Sequence, residues 1–412
     1  MRIVGHAASL PRGPRLRYKA PVSLARRVAL AMTLASFIGL SAWELSRTPR
    51  HPYMDLDNRF SDHFSHLNTA RLFPRLGLDI WRVPLREVLS RATPQDRAAL
   101  PADVVCSDCI FIVPGWSKAV LVNWPHVRRP YPPGDLVLVA PLAALYHFTD
   151  ISFTAMNRLL IVLFLFAAHL GLFLLFDALF AAGAFELALP ALLGASTALH
   201  WTLNGFYDGA LLVPLVLCWR FLGQRRGLAA LVAYCAAAFL HYRAYFYGPW
   251  ALWALWLIVR DKQWRTWGRA GWAAAAAGAF MGAASLGTWI LTLPSMIGPP
   301  MMRTALQSTS WEANRAPVAL ALITAALCLA AFAAARAWLD AAMLISVGAI
   351  VTRMPSGGHW YAVSLVPWLC AAVGGRRAPL VAAGRTLAFL FLCFHVWRED
   401  PLPAWIANLV TR

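Results

Sequence analysis

S-F-T-A-M-N-R-L-L-I-V-L-F-L-F-A-A-H-L-G-L-F-L-L-F, residues 152–176, decides the fold. Its only charged residue is Arg158, and its polar residues are too few to make a solvated face. About 20 apolar residues cross the hydrocarbon core of a bilayer as a helix. A water-exposed helix of this length would instead alternate an apolar stripe with a polar one.

Similar stretches recur outward in both directions. They lie near 135–148, 178–200, 206–222, 228–241, 248–260, 270–293, 316–335, 338–353, 359–374 and 379–396. An earlier one runs from Val28 to Trp43. Its length resembles a signal-peptide core, but no small-x-small cleavage site follows it clearly, so it reads as an uncleaved signal anchor. The chain of 412 residues is 59% hydrophobic and 14% charged, against about 25% charged in soluble domains. With a mean hydropathy of +0.56, too little polar surface remains to cover a single soluble core. The expected architecture is all-α: a polytopic transmembrane helical bundle of about 10–12 helices with a long extracytoplasmic first loop.

Charge sets the expected orientation. The net charge is +18, and lysine occurs only at Lys19, Lys118 and Lys262. Excess base in such a chain first marks cytoplasmic joints. No basic soluble face is present for nucleic acid, which is therefore not an expected partner. The expected organisation is a basic cytoplasmic tail (1–27), a first transmembrane helix (28–45), an extracytoplasmic loop (46–133), a multi-helix membrane domain (134–397) and a C-terminal tail (398–412). Basic joints at Arg220/Arg225/Arg226, Arg260/Lys262/Arg265/Arg269 and Arg376/Arg377 lie inside in this scheme. The crossings between the loop and His200 must then be even in number, yet three apolar stretches lie there. Either the short segment 134–147 is re-entrant, or 178–200 is a pair broken around Pro190.

Seven cysteines are scattered. Cys218, Cys235, Cys328, Cys370 and Cys393 read as small core residues. Cys106 and Cys109 form one C-x-x-C without the second pair that a zinc site requires, so a local disulfide or two free thiols is the expectation.

The same orientation gathers the unusual polar residues on the extracytoplasmic side. The loop supplies Asp55, Asp57, Asp62, His63 and His66; later joints add Asn204, Asp208, His241, Arg243, Tyr245, Arg303, Arg315, Arg353, His359 and Tyr361. Ionisable groups at membrane depth are costly and tend to mark function. Loop acids could bind or deprotonate an acceptor, and guanidinium groups match phosphate geometry. Each residue also has a plain structural role open to it. Asp55 and Asp57 suit a solvated turn, and Asp62 and His66, four apart, suit a local pair on one helical face. Asp208 suits a helix cap, Arg353 and His359 suit interfacial anchors, and Arg243 beside tyrosines suits an aromatic belt.

Four segments, in order, resemble the GT-C superfamily of polytopic membrane glycosyltransferases, which use polyprenyl-phosphate sugars. They are Y-M-D-L-D-N-R-F-S-D-H-F-S-H-L-N-T-A-R-L-F (Tyr53 to Phe73), R-R-P-Y-P-P-G-D-L-V-L-V-A-P-L (Arg128 to Leu142), N-G-F-Y-D-G-A-L-L (Asn204 to Leu212) with H-Y-R-A-Y-F-Y-G-P (His241 to Pro249), and G-H-W-Y-A-V-S-L-V-P (Gly358 to Pro367). The resemblance spans about residues 50 to 400. It departs from the family where Asp62 is followed by His63 rather than Glu, and where Arg243 replaces a common Lys.

The resemblance implies transfer of a sugar from a polyprenyl-phosphate donor to an extracytoplasmic lipid, glycan or protein. Asp57 or Asp62, with Asp55 as a third candidate, would act as base on the acceptor hydroxyl. Alternatively Asp55 and Asp57 would hold Mg²⁺ or Mn²⁺, which carboxylate oxygens suit; no other cofactor is implied. His66, Tyr131, Asn204, Asp208, His241, Arg243, Arg353, His359 and Tyr361 would line the substrate site. The expected partners are the lipid-linked donor and membrane lipids. The Arg- and Ala-rich composition fits a GC-rich bacterial genome, which would place the protein in the inner membrane with its site facing the periplasm. The competing expectations are a transporter or flippase of a lipid-linked or anionic substrate, a polymerase or ligase of lipid-linked glycans, and a non-catalytic assembly subunit.

Overall fold

A computed structural model describes residues 24–46, 59–83, 87, 129, 131–149, 151, 153–181, 199, 202–203, 207–296, 323, 326–335 and 337–351. Among these residues there is no β-strand. The principal helices are α1 (Leu24–Ser46), α2 (Arg59–Leu76), α3 (Asp79–Arg82), α4 (Gly134–Phe148), α5 (Phe153–Ala181), α6 (Leu212–Gly223), α7 (Gly227–Leu240), α8 (Gly248–Arg260), α9 (Arg269–Met296) and α10 (Trp338–Val351). Two 3-10 turns, Tyr207–Leu211 and Tyr242–Tyr247, lead into α6 and α8. Segments 178–200 and 316–335 are described only in part, and 359–374, 379–396 and the tail 398–412 lie outside the described residues.

Among the described residues, three helices are long and apolar enough to cross a membrane: α1, α5 and α9. At 29 residues, α5 is about 43 Å long at 1.5 Å per residue, more than the roughly 30 Å of bilayer hydrocarbon. α1 lies antiparallel on α5. Arg26 pairs with Asp177 at one end of this interface. Ser36 meets His169 Nε2 at 3.1 Å in its middle, and Arg158 donates to the Leu45 carbonyl at 3.2 Å at the other end. The outer face of α1 is bare, with Met32, Leu34 and Ile38 exposed. Exposed leucine and isoleucine on a helix without a polar face match lipid rather than water.

These contacts define two ends of the bundle. Arg220 lies 3.4 Å from Asp177, so α6 finishes at the same end as Arg26. α7 leaves that end and α8 returns to it, because Arg225 donates to Asp261 at 3.0 Å across the two joints. The opposite end holds the two 3-10 turns, where the Tyr207 hydroxyl donates to the Leu240 carbonyl at 3.2 Å. All the basic joints in the described residues therefore gather at one end, and the histidine- and aspartate-bearing turns at the other.

α4 does not run between these ends. Its first residue, Gly134, abuts the last turn of α7; a β-carbon there would sit 2.4 Å from the Phe239 carbonyl oxygen. From that point α4 runs beside α2, and Val139 and Ala143 pack with Leu67, Met156 and Leu160 near the start of α5. The described chain leaves α5 at the arginine-rich end and is next described as a continuous run from Tyr207, at the other.

The core between α6, α7 and α8 is built from small residues. Ala230, Ala237 and Ala254 are buried among Leu215, Cys218, Leu257 and Phe332. Small side chains let helix backbones approach closely, which is how helices associate where lipid is as apolar as leucine. Cys218 and Cys328 are buried free thiols in this core, as read from sequence, and Cys235 is a half-buried one; Cys106, Cys109, Cys370 and Cys393 lie outside the described residues.

Candidate functional site

The site grows from the stretch R-P-Y-P-P-G-D (Arg129 to Asp135) and the helix it rests on. Pro133 closes the approach to α4 and puts Asp135 in that helix's first turn. An acid there complements the unsatisfied N–H groups and the helix dipole. On α2, His66 and Thr69 are three residues apart and so share a face. That face meets Asp135. His66 Nδ1 lies 2.6 Å from Asp135 Oδ2. Arg129 donates to the same oxygen and, at 2.9 Å, to the Thr69 hydroxyl. Arg129 is 0% exposed and Asp135 1%. Trp81, just after α2, fixes the intervening backbone by donating to the Tyr131 carbonyl at 2.7 Å.

A second buried pair stands beside the first. Asp208, in the first 3-10 turn, pairs with Arg243 in the second. His241, which joins α7 to that turn, accepts the Arg243 backbone N–H on Nδ1 at 3.2 Å. Its Nε2 then carries the ring proton and faces Asp208 at 3.6 Å. This is too long for a hydrogen bond but close enough for attraction. The irregular backbone of the two turns is enclosed by protein, with Tyr207–Leu211 buried throughout.

Aromatic rings weld the two pairs together. The Tyr207 ring lies 5.1 Å from His66 and stacks on His241 at 5.2 Å. Tyr131 completes the group, 4.7 Å from His66 and 6.0 Å from His241. Behind it, the Tyr242 hydroxyl donates to Thr288 at 3.0 Å and Tyr245 meets Ser285 at 2.9 Å, tying the second turn to α9. The unit is close to charge-neutral, two aspartates against two arginines. Chemically it is a rigid frame: buried ion pairs are strongly destabilised by removing either partner.

Of the residues singled out from sequence, His66, Tyr131, Asp208, His241 and Arg243 come together here. Asp62 lies on α2, one turn before His66, and its side chain is outside the described ones. Asp55, Asp57, Asn204, Arg353, His359 and Tyr361 lie outside the described residues, and with them the proposed Mg²⁺ or Mn²⁺ ligands. Among the described residues, no three His, Cys, Asp or Glu side chains gather as a metal site. Sequence reasoning missed Arg129, Asp135, Thr69 and Tyr207. A usable signal was present: an acid directly after P-P-G, six residues from an arginine, at the point where a polar loop becomes an apolar helix.

No family model matches the chain, and comparison with curated proteins and with solved structures gives no match either.

Proposed function

We propose that the protein is a polytopic membrane glycosyltransferase of GT-C type. It would transfer a sugar from a polyprenyl-phosphate donor to an acceptor on the extracytoplasmic side of a bacterial inner membrane. The observation that carries this reading is the buried frame joining α2 to both 3-10 turns at the end of the bundle opposite the basic joints. Such a frame fixes the helix that bears Asp62 against the membrane helices, as positioning of a reacting group requires.

In this mechanism Asp57 or Asp62 takes the proton of the acceptor hydroxyl as its oxygen attacks the anomeric carbon. The bond to the polyprenyl phosphate breaks, and its negative charge is met by cations such as Arg353 with His359. Alternatively, Asp55 and Asp57 would hold Mg²⁺ or Mn²⁺, which would supply Lewis acidity to the reacting groups, and Asp62 would be the base. Arg243, held by Asp208, serves as a positioning residue.

The test is sugar transfer by the purified protein in detergent. A panel of radiolabelled polyprenyl-phosphate sugars is offered with envelope lipid extract, with and without EDTA. Asp57→Asn or Asp62→Asn is expected to reduce transfer by two orders of magnitude or more, in the range of about 10²–10⁴ for a lost general base. Full activity in both variants removes the assignment. No turnover with any donor, in folded wild-type protein, favours a transporter of lipid-linked substrate.

A further inference from the structure

A cavity of about 1030 Å³ lies along α7 and touches the histidine–aspartate frame only at one end, at Leu240 and Ala210. Its walls are apolar: Leu163 and Leu170 of α5, Leu217 of α6, Val232 and Ala236 of α7, and Ala274 of α9. That volume is at the upper end of the roughly 300–1,000 Å³ seen for ligand pockets. α7 lines it mainly with small side chains, so the space is a trough running the length of the helix. At one end it reaches Leu138 and Leu240; at the other its mouth is formed by Arg225, Arg226, Gln263 and Thr266.

The mouth is built and it is positively charged. Gln263 accepts from the Gly227 N–H at 3.0 Å and donates to the Arg225 carbonyl at 2.8 Å, which locks the two basic joints together. Gly227 permits this, since a β-carbon there would lie 2.7 Å from the Ala254 carbonyl oxygen. Asp261 is the one acid in these two joints. It is already occupied by Arg225 at 3.0 Å and Arg260 at 2.8 Å. Among the described residues, no carboxylate pairs with Arg226, Lys262, Arg265 or Arg269. The Arg226 guanidinium sits 5.0 Å over the ring of Phe221, itself a wall of the trough, and so is held at the opening.

An apolar trough with an unneutralised cationic mouth at a helix-bundle end matches one chemistry. We infer that it binds an anionic phospholipid, with an acyl chain along α7 and the phosphodiester at Arg226 and the neighbouring basic joint. Basic pockets between membrane helices recognise acidic headgroups in this way. A zwitterionic lipid brings its own cation to the mouth and gains less. The site requires only that the bundle sits in a membrane, and it stands or falls apart from sugar transfer.

The test uses the full chain in detergent, titrated with phosphatidylglycerol or with phosphatidylcholine of the same acyl chains. Bound lipid is read by native mass spectrometry and stability by thermal unfolding. Phosphatidylglycerol is expected to remain bound and raise the melting temperature, and phosphatidylcholine to do neither. Arg226→Gln should weaken phosphatidylglycerol binding about fivefold. Ala236→Leu, which narrows the trough while leaving the mouth intact, should weaken it further. Ala229→Val is the milder alternative where Ala236→Leu does not fold. Melting temperatures of the variants in phosphatidylcholine equal to wild type show that the fold is intact. Equal retention of the two lipids, or phosphatidylglycerol binding unchanged in the trough variants, overturns the inference.

Discussion

Arg129 places a full positive charge where water does not reach, held by one carboxylate and one hydroxyl, with the His66 imidazole on the same carboxylate oxygen. Removing one member of such a group leaves the other charge uncompensated. Arg129→Ala is therefore expected to cost about 3–5 kcal/mol of stability, while the double change Arg129→Met with Asp135→Leu recovers most of it. Chemical unfolding in detergent distinguishes these outcomes, and an unaltered Arg129→Ala midpoint contradicts the frame. At this scale the sequence was half legible. His66, His241 and Arg243 stand out as ionisable residues in apolar surroundings. Asp135 does not, because an acid in a helix's first turn reads as an ordinary cap, and Arg129 beside Arg128 reads as an interfacial base.

Among the elements, α4 shows how hydropathy alone misleads. Its composition would suit a crossing helix, yet at 15 residues it is about 22 Å long. Its partner is α2, whose His66 and Leu67 face it from the loop. No pattern inside 134–148 reveals that partner; only the contact across nearly seventy residues does. α5, by contrast, was plain from its unbroken apolar run, and α2 from the four-residue spacing of Asp62 and His66. The join between α4 and α7 gives the prediction at this level. Gly134→Val would drive a side chain into the backbone at Phe239 and Leu240. Overpacking of this kind costs about 1–3 kcal/mol, read as a lowered melting temperature and weaker retention of α2 in limited proteolysis. A variant as stable as wild type would mean that α4 packs elsewhere.

Across the whole molecule, the two ends of the bundle differ in kind. Arg26, Arg220, Arg225, Arg260 and Lys262 mark one end, and the 3-10 turns with Asp208 and Arg243 mark the other. The segregation fits the positive-inside rule applied to the joints of the sequence. The expected outcome in a background free of native cysteines is that Lys262→Cys is labelled by an impermeant maleimide only in inverted vesicles, and Thr149→Cys only in intact spheroplasts. Labelling of both from the same side would contradict this arrangement. The regular alternation of basic joints made the antiparallel order of α6, α7 and α8 legible in advance. The meeting of the two polar turns was not, because it depends on aromatic rings from separate segments packing on one another.

The pairing of α1 with α5 also sets a clock for biogenesis. Arg26 and its acid Asp177 are 151 residues apart in the chain. At about 5–20 residues per second, a ribosome takes roughly 8–30 s to pass from one to the other. Throughout that interval Arg26 has been made and its acid has not, so the ion pair cannot form. In a membrane its guanidinium would rest among lipid headgroups, and Ser36 would lack its partner until His169 arrives. Nascent chains released before Asp177 would present this unpaired helix to the membrane's quality-control proteases, and chains released after it would be able to hide it.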